Sequence, residues 1–387
     1  MDANLPAGLV SLQSRAAGIA AAILAPNAER VDQDAQWPAT GMEALGEAGL
    51  LGLHVPRSLG GHGEGLLALS VITEELGKAC GSTSMCYGMH CVATQVIAAK
   101  ATPDQEERYL RPIAQGRHIS SLALSEPASG VFLYLPRATF EHAGESFLLN
   151  GDKAFITSGG VADSYVVSAV AQGDEHDPST FTCVLVDKGS EGLHWGKPWN
   201  GFGMRGNSSR SARLHNVRVP ATNLLGREGD HIWYVFEVIA PFFLTAMAGT
   251  YIGIAQSALD GAIASLKGRR FAHAAEPLAD NPVLAHDVAE MWLRVSRARQ
   301  LTHYAAKLGD ARSPEAVQAL FAAKIEAADA AVEVTRMAMT VAGGRAYQDG
   351  GPLQRAMRDA QAAPVMSPTT HLLKTWLGRT ALGLPPL

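Results

Sequence analysis

The order of patterns along the chain predicts an α+β protein, mostly α. An N-terminal helical domain is followed by a central antiparallel β-barrel-like domain and a C-terminal four-helix bundle, with boundaries expected at 1–118, 119–232 and 233–387. Three observations carry this. Apolar residues recur at helical intervals in the first third, short β-branched and aromatic runs fill the middle, and longer helical patterns return after Gly229. Alternating strand–helix units are missing, which argues against a doubly wound nucleotide domain.

The elements follow in order. Thr40-Gly41-Met42-Glu43 fits a capping box, with Met42, Leu45 and Leu50 at helical intervals before Pro56. Arg57 to Gly63 reads as a loop, and apolar periodicity resumes through Glu74-Glu75 and again from Met85 to Ala99. Strands are expected at Phe147-Leu148-Leu149, Ser164 to Val170, Phe181 to Val186 and Leu214 to Val219, with turns at Asn150-Gly151 and Gly159-Gly160. Beyond these, Ala246, Ala248, Gly249, Gly253 and Ala255 form a small-residue face that permits close helix approach. Ser313-Pro314 reads as a cap with a first-turn proline. Val317, Leu320, Phe321, Ala328 and Val332 mark one face of the helix that Gly343-Gly344 stops.

Composition narrows the function classes. The 387 residues are 47% hydrophobic and 18% charged, the balance of a soluble globular chain with room for several packed units. The net charge is −5 and no Lys/Arg block stands out, so nucleic acid is not an expected partner. Met1-Asp2-Ala3-Asn4-Leu5-Pro6 lacks a basic signal region, and the apolar stretch Ala16 to Ala25 reads as too short to span a bilayer. A cytoplasmic protein with no membrane insertion is the expectation. Cys80, Cys86 and Cys91 cluster near His90, but the Cys-x5-Cys and Cys-x4-Cys spacings favour structural thiols over a metal site; Cys183 stands apart.

Gly201-Phe202-Gly203-Met204-Arg205-Gly206 matches G-x-G-x-x-G literally. A dinucleotide fingerprint needs a helix after it, and here a strand-like run, Ala212 to Val219, follows. A different set of motifs reads better. Leu122-Ala123-Leu124-Ser125-Glu126-Pro127-Ala128-Ser129-Gly130 is one, and Phe155-Ile156-Thr157-Ser158-Gly159-Gly160 is the next. Gly203 to Ser208 follows, with Val217-Arg218-Val219-Pro220 and Leu225 to Gly229 behind it, and Arg358-Asp359-Ala360 closes the series ahead of Ser367-Pro368-Thr369. In this order and at these separations the chain resembles the acyl-CoA dehydrogenase superfamily over nearly its whole length.

The resemblance implies an FAD enzyme acting on an acyl thioester, on CoA or a carrier protein, with an electron acceptor left open, in a homo-oligomer (tetramer or dimer). It places Leu122, Leu124, Ser125 and Gly130 with Phe155, Ile156, Thr157 and Ser158 along the flavin, Thr157 by its reactive edge. It places Arg269, Thr340, Gly343 and Gly344 toward the adenine end, Arg270 being a second cation there, and Thr369 and His371 beside the cofactor. Val131, Phe132 and Phe243 fall on the substrate face.

One chemical group is missing from this frame. Desaturation needs hydride removal from Cβ and a base for the α-proton. The family's two base positions correspond to Ser367 and Phe243, neither of which is a base. Glu237, His90 and His371 are the candidates to supply one from elsewhere. Two further readings stay open: a flavin-dependent monooxygenase on the same fold, which needs no such base, and a flavin-binding homologue without turnover.

Overall fold

Each helix of the computed structural model forms where an apolar stripe has a partner to cover it; the structure describes residues 5–130, 132, 134–174, 177–269, 277–348 and 350–385. Helix α1 (Ala7–Gln33) turns Leu9, Leu12, Ala16, Ala20 and Leu24 into the main core. It is longer than the apolar stretch noted in the sequence, and by length and composition it could cross a bilayer, as could α5 below. In the fold, α5 is mostly buried, and α1 packs one face on its neighbours.

Helix α2 (Ala39–Glu47) starts after Pro38 with no side-chain cap, so the capping box expected at Thr40 is absent. The box forms instead at Thr102, whose hydroxyl accepts from the Gln105 N–H while the Gln105 side chain accepts from the Thr102 N–H. Helices α3 (Leu66–Ala79) and α4 (Gly81–Ala99) are apolar nearly all round, as interior helices must be.

The central domain holds eight strands: β1 (Ser120–Ala123), β2 (Thr139–His142), β3 (Ser146–Ile156), β4 (Ser164–Ala171), β5 (Thr182–Asp187), β6 (Leu193–Trp195), β7 (Arg210–Pro220) and β8 (Leu224–Leu225). Their order is β6-β7-β3-β2-β4-β5-β8, with β1 on β4. The sheet is mixed: β1 and β2 both run parallel to β4, while the other pairings are antiparallel. The domain is mainly antiparallel, as expected, with two parallel pairings added. Both parallel strands reach β4 through crossovers, and short-range turn signals do not reveal those. The pairing path has two ends, β6 and β8, among the described residues.

The C-terminal unit is built from α5 (His231–Lys267), α6 (Pro282–Asp310), α7 (Ala316–Ala342), α8 (Pro352–Ala360) and α9 (Thr370–Ala381). The small-residue face of α5 lies on α3. A Cβ added at Gly249 would collide with Thr73 and the Ser70 carbonyl, and one at Gly253 with the Glu74 carbonyl and Gly77. An alanine at either site would overpack the crossing, at a cost of about 1–3 kcal/mol. Helix α7 stops at Gly343, whose φ of +69° suits glycine. Helix α7 starts at Ala316, two residues later than the Ser313-Pro314 signal, without a side-chain cap.

Two buried histidines pin the 50–64 loop to this framework. His90 on α4 accepts from the Ser120 N–H at Nδ1 (3.2 Å), which leaves Nε2 to donate to the Leu51 carbonyl (3.0 Å). His54 bonds the Glu64 carbonyl through Nδ1 (2.8 Å) and meets the edge of Phe242 at 4.9 Å. Desolvation holds each at about 4, below the ordinary 6.5. The unfolded chain therefore binds these protons first as pH falls. Stability is full above pH 6.5 and is lost toward pH 4, at about 1.4 kcal/mol per pH unit for each histidine between those limits. His54→Asn, which keeps a donor for the Glu64 carbonyl, should flatten the urea-unfolding stability profile by about one proton in this window. An unchanged slope would show that His54 titrates normally.

Candidate active site

The three units meet around a cavity of about 690 Å³. Five segments supply most of its wall. Helix α4 presents Met85 and Met89; the end of β1 and the loop after it present Leu122, Leu124 and Ser125; the end of β3 presents Ala154, Phe155 and Thr157. Helix α5 contributes Val235, Phe236, Ile239, Ala240 and Phe243, the first three from a π-helical stretch, Tyr234–Ile239. The turn after α8 brings Ala362, Val365, Met366, Ser367 and Pro368, and Trp376 of α9 lies beside them.

Two charged side chains line this apolar space, and both are committed. Glu126 is buried; Oε1 accepts from Lys153 Nζ (2.6 Å) and the Ala138 N–H (3.1 Å), and Oε2 from the Arg137 N–H (2.9 Å). Lys153, equally buried, also donates to Ser168 Oγ at 3.0 Å. Arg358 pairs with both oxygens of buried Asp32 and donates to the Phe202 carbonyl at 3.0 Å. Its neighbour Asp359 accepts from the Met204 N–H at 2.6 Å, and burial pushes that carboxyl up to about 6. Glu126 is thus the only carboxylate in the wall among the described residues, and its oxygens are occupied.

The literal glycine motif has a packing explanation. A Cβ at Gly203 would strike the Arg358 carbonyl, and one at Gly206 would strike Val31 and the Gln36 carbonyl. The loop needs backbone without side chains because it is pressed between α1 and α8. No α-helix follows it: a 3-10 turn, Arg205–Asn207, leads into β7.

The structure brings together Leu122, Leu124, Ser125, Gly130, Phe155, Thr157, Phe243 and Ser367 from the expected set. Ile156 and Ser158 are buried behind this wall, where Ser158 Oγ accepts from Trp37 Nε1 at 3.0 Å. Phe132 is exposed and packs edge-on to Tyr134, which does line the cavity; Val131 and Arg270 lie outside the described residues. The remaining cofactor candidates sit elsewhere. Arg269 donates to the Ala342 carbonyl at 2.8 Å beside Gly343, Gly344 and Thr340 at the end of α7. Thr369 caps α9 by accepting from the Leu372 N–H, and His371 is exposed on that helix.

Neither relocated-base candidate of the first two reaches the cavity. Glu237 is exposed because it lies six residues before Phe243, about 240° around the helix from the lining face. His90 follows Met89 by one residue and points instead at the β1 backbone, with both ring nitrogens occupied. On this geometry neither side chain lines the cavity. His371 does not line the cavity either.

The wall fits a flat, largely apolar ring with a polar edge. Phe155 holds a φ of +54°, rare for an aromatic residue, and leaves its ring 68% exposed beside Trp199. Phe202 and Val365 at the same cavity are also exposed. Apolar surface held out this way calls for a covering ligand. The Thr157 hydroxyl has no protein partner among the described residues, although its carbonyl accepts from Ser121 Oγ at 2.7 Å. Sequence reading missed Met85, Met89, Tyr134, Trp199, Phe236 and Trp376 in the wall; the methionine pair at helical spacing was a usable signal, and the others depend on tertiary approach.

Comparison with known proteins agrees with this architecture. Residues 9–117, 121–217 and 245–382 match the acyl-CoA dehydrogenase N-terminal, middle and C-terminal domain families. The chain is 33% identical over 362 residues to a cyclohex-1-ene-1-carbonyl-CoA dehydrogenase of Geobacter metallireducens, covering 93% of this chain and 94% of that protein. It is 30% identical over 386 residues to an acryloyl-CoA reductase (NADH) of Anaerotignum propionicum, covering 99% and 96%. The solved butyryl-CoA dehydrogenase of Megasphaera elsdenii superposes with a TM-score of 0.92 at 26% identity, covering 99% and 100%.

The Arg358–Asp32 pair generates a stability prediction. Arg358→Ala should cost about 3–5 kcal/mol in urea unfolding, because it strands a buried carboxylate. Asp32→Ala combined with Arg358→Ala should recover part of that loss. A single-variant cost below about 1 kcal/mol would mean that the pair is solvated in solution.

Proposed function

We propose that this chain, which belongs to the acyl-CoA dehydrogenase family, is an FAD-dependent oxidoreductase that desaturates an acyl thioester between Cα and Cβ. One observation carries the reading: the two flavin-type segments, the loop around Gly203 and the Ser367 turn converge on one apolar cavity. When bound there, FAD accepts the hydride from Cβ. The protein's part is to hold, orient and dry the reactants. Leu122, Leu124 and Phe155 would hold the ring, and the Thr157 hydroxyl, without a protein partner among the described residues, would supply it a hydrogen bond. Met85, Met89, Phe236 and Phe243 enclose the acyl chain and exclude water. Ser367 faces Cα.

The α-proton is the unusual part. With no uncommitted carboxylate in the described wall, a water at Ser367, whose neutral hydroxyl is itself a weak acceptor, takes the α-proton and passes it to solvent. The chain is therefore suited to acyl groups whose α-proton is already acidified, carried on CoA or a carrier protein. Arg269, Gly343 and Gly344, away from the cavity, are assigned to the adenine end, completed by a second copy of the chain.

Anaerobic titration tests this. The purified protein should show a flavin spectrum, and acyl thioesters should bleach it slowly. Ser367→Glu should raise the bleaching rate at least about tenfold with a simple saturated acyl-CoA, since the apolar wall would lift the new carboxyl toward the working pH. No bleaching by either protein across chain lengths, with oxygen consumed from externally reduced flavin, would move the monooxygenase reading ahead.

A further inference from the structure

Lys324 lies on the inner face of α7 with no exposed surface. Its Nζ has no carboxylate within ion-pair distance among the described residues. Instead it donates to the carbonyls of Ala363 (2.9 Å), Pro368 (3.1 Å) and Met366 (3.4 Å). An ammonium has three N–H donors, so these three acceptors match its full capacity. A buried lysine without a counter-ion is costly, and it is retained here where it contacts the segment that forms one cavity wall.

Ala362–Val365 is a single helical turn, whose last carbonyls lack intrahelical partners. Lys324 supplies donors and positive charge at its C-terminal end. On the far side Thr369 caps α9, and the Tyr251 hydroxyl donates to Met366 Sδ at 3.5 Å. We infer that Lys324 is a positioning residue: its ammonium fixes how far the wall bearing Ser367 projects into the cavity. The inference goes beyond the proposed reaction, because it concerns the wall whether or not a thioester turns over.

Desolvation holds the amine at about 8, below the ordinary lysine value. Around it, Asp329 on α7 is paired with Lys374 of α9 at 3.0 Å, and Tyr251 of α5 presents its hydroxyl at this turn. A neutral amine keeps two N–H donors and loses its charge, so the hold on the wall weakens as pH rises through 8.

The test reads the wall directly. Ser367→Cys holoenzyme, loaded with FAD, is alkylated with iodoacetamide; the four native cysteines are buried, and the Ser367 protein serves as the blank. Lys324→Met is added to the same background, with folding checked by thermal melting. Lys324→Arg is made in parallel, since a planar guanidinium cannot meet three convergent carbonyls in the same way. At pH 7, alkylation should be about tenfold faster in Lys324→Met, and faster in Lys324→Arg too, because a released segment opens more often. With each rate divided by the thiolate fraction from that protein's own thiol titration, since a nearby ammonium itself lowers a thiol's pKa, the Met-to-Lys ratio should fall toward one by pH 9.5. A ratio within about twofold in every folded variant, or one that does not change with pH, overturns the inference; a lysine that merely supports the bundle would not produce that profile.

Discussion

The buried pair of Asp32 and Arg358 joins parts of the chain more than three hundred residues apart, and the cavity depends on it. Arg358 holds α1 to α8 and also reaches the Phe202 carbonyl, while Asp359 next to it takes the Met204 N–H. Arg205 closes the circuit by donating to the Asp32 carbonyl at 2.8 Å. The loop from Trp199 to Asn207 is therefore fixed from both sides. A buried ion pair contributes little net stability compared with apolar packing, yet breaking it is expensive. Its value here is geometric. It sets where the β-domain meets the two helical units, and so where Phe155, Met204 and the Ser367 turn face one another.

A second buried pair, Glu126 with Lys153, does the same within the β-domain. It anchors the loop after β1 to β3, so the two flavin-type segments move as one piece. The consequence for chemistry is restrictive. The one carboxylate in the described cavity wall, Glu126, is saturated with hydrogen bonds, and the wall at Phe243 and Ser367 carries none. Under the proposed reading the flavin would sit against a rigid wall, and the acyl group against an apolar one with no free carboxylate among the described residues.

Much of this was legible in the sequence where the signal was local or carried by a motif. The helical first third, the β middle and the helical end follow from periodicity, and Gly343 stops α7 as its residue type suggests. Leu122, Leu124, Ser125, Phe155 and Thr157, singled out by motif spacing, do line the cavity. What stayed hidden was tertiary. Nothing near Lys153 or Lys324 marks them as buried, and the parallel pairing of β1 and β2 with β4 requires crossovers that no turn signal encodes. His90 and Glu237 looked available because a helix carries residues on all faces. Only the packing shows that one faces the β1 backbone and the other faces solvent.

The central claim is that this cavity holds a flavin and an acyl thioester with no carboxylate at the α-carbon. A crystal structure of the FAD-loaded protein with a non-reactive thioether analogue of an acyl-CoA tests it most directly. The account predicts the isoalloxazine against Phe155 with its reactive edge on the Thr157 hydroxyl, and the ligand's α-carbon facing Ser367. A flavin bound elsewhere, or an acidic side chain swung to the α-carbon, would contradict it.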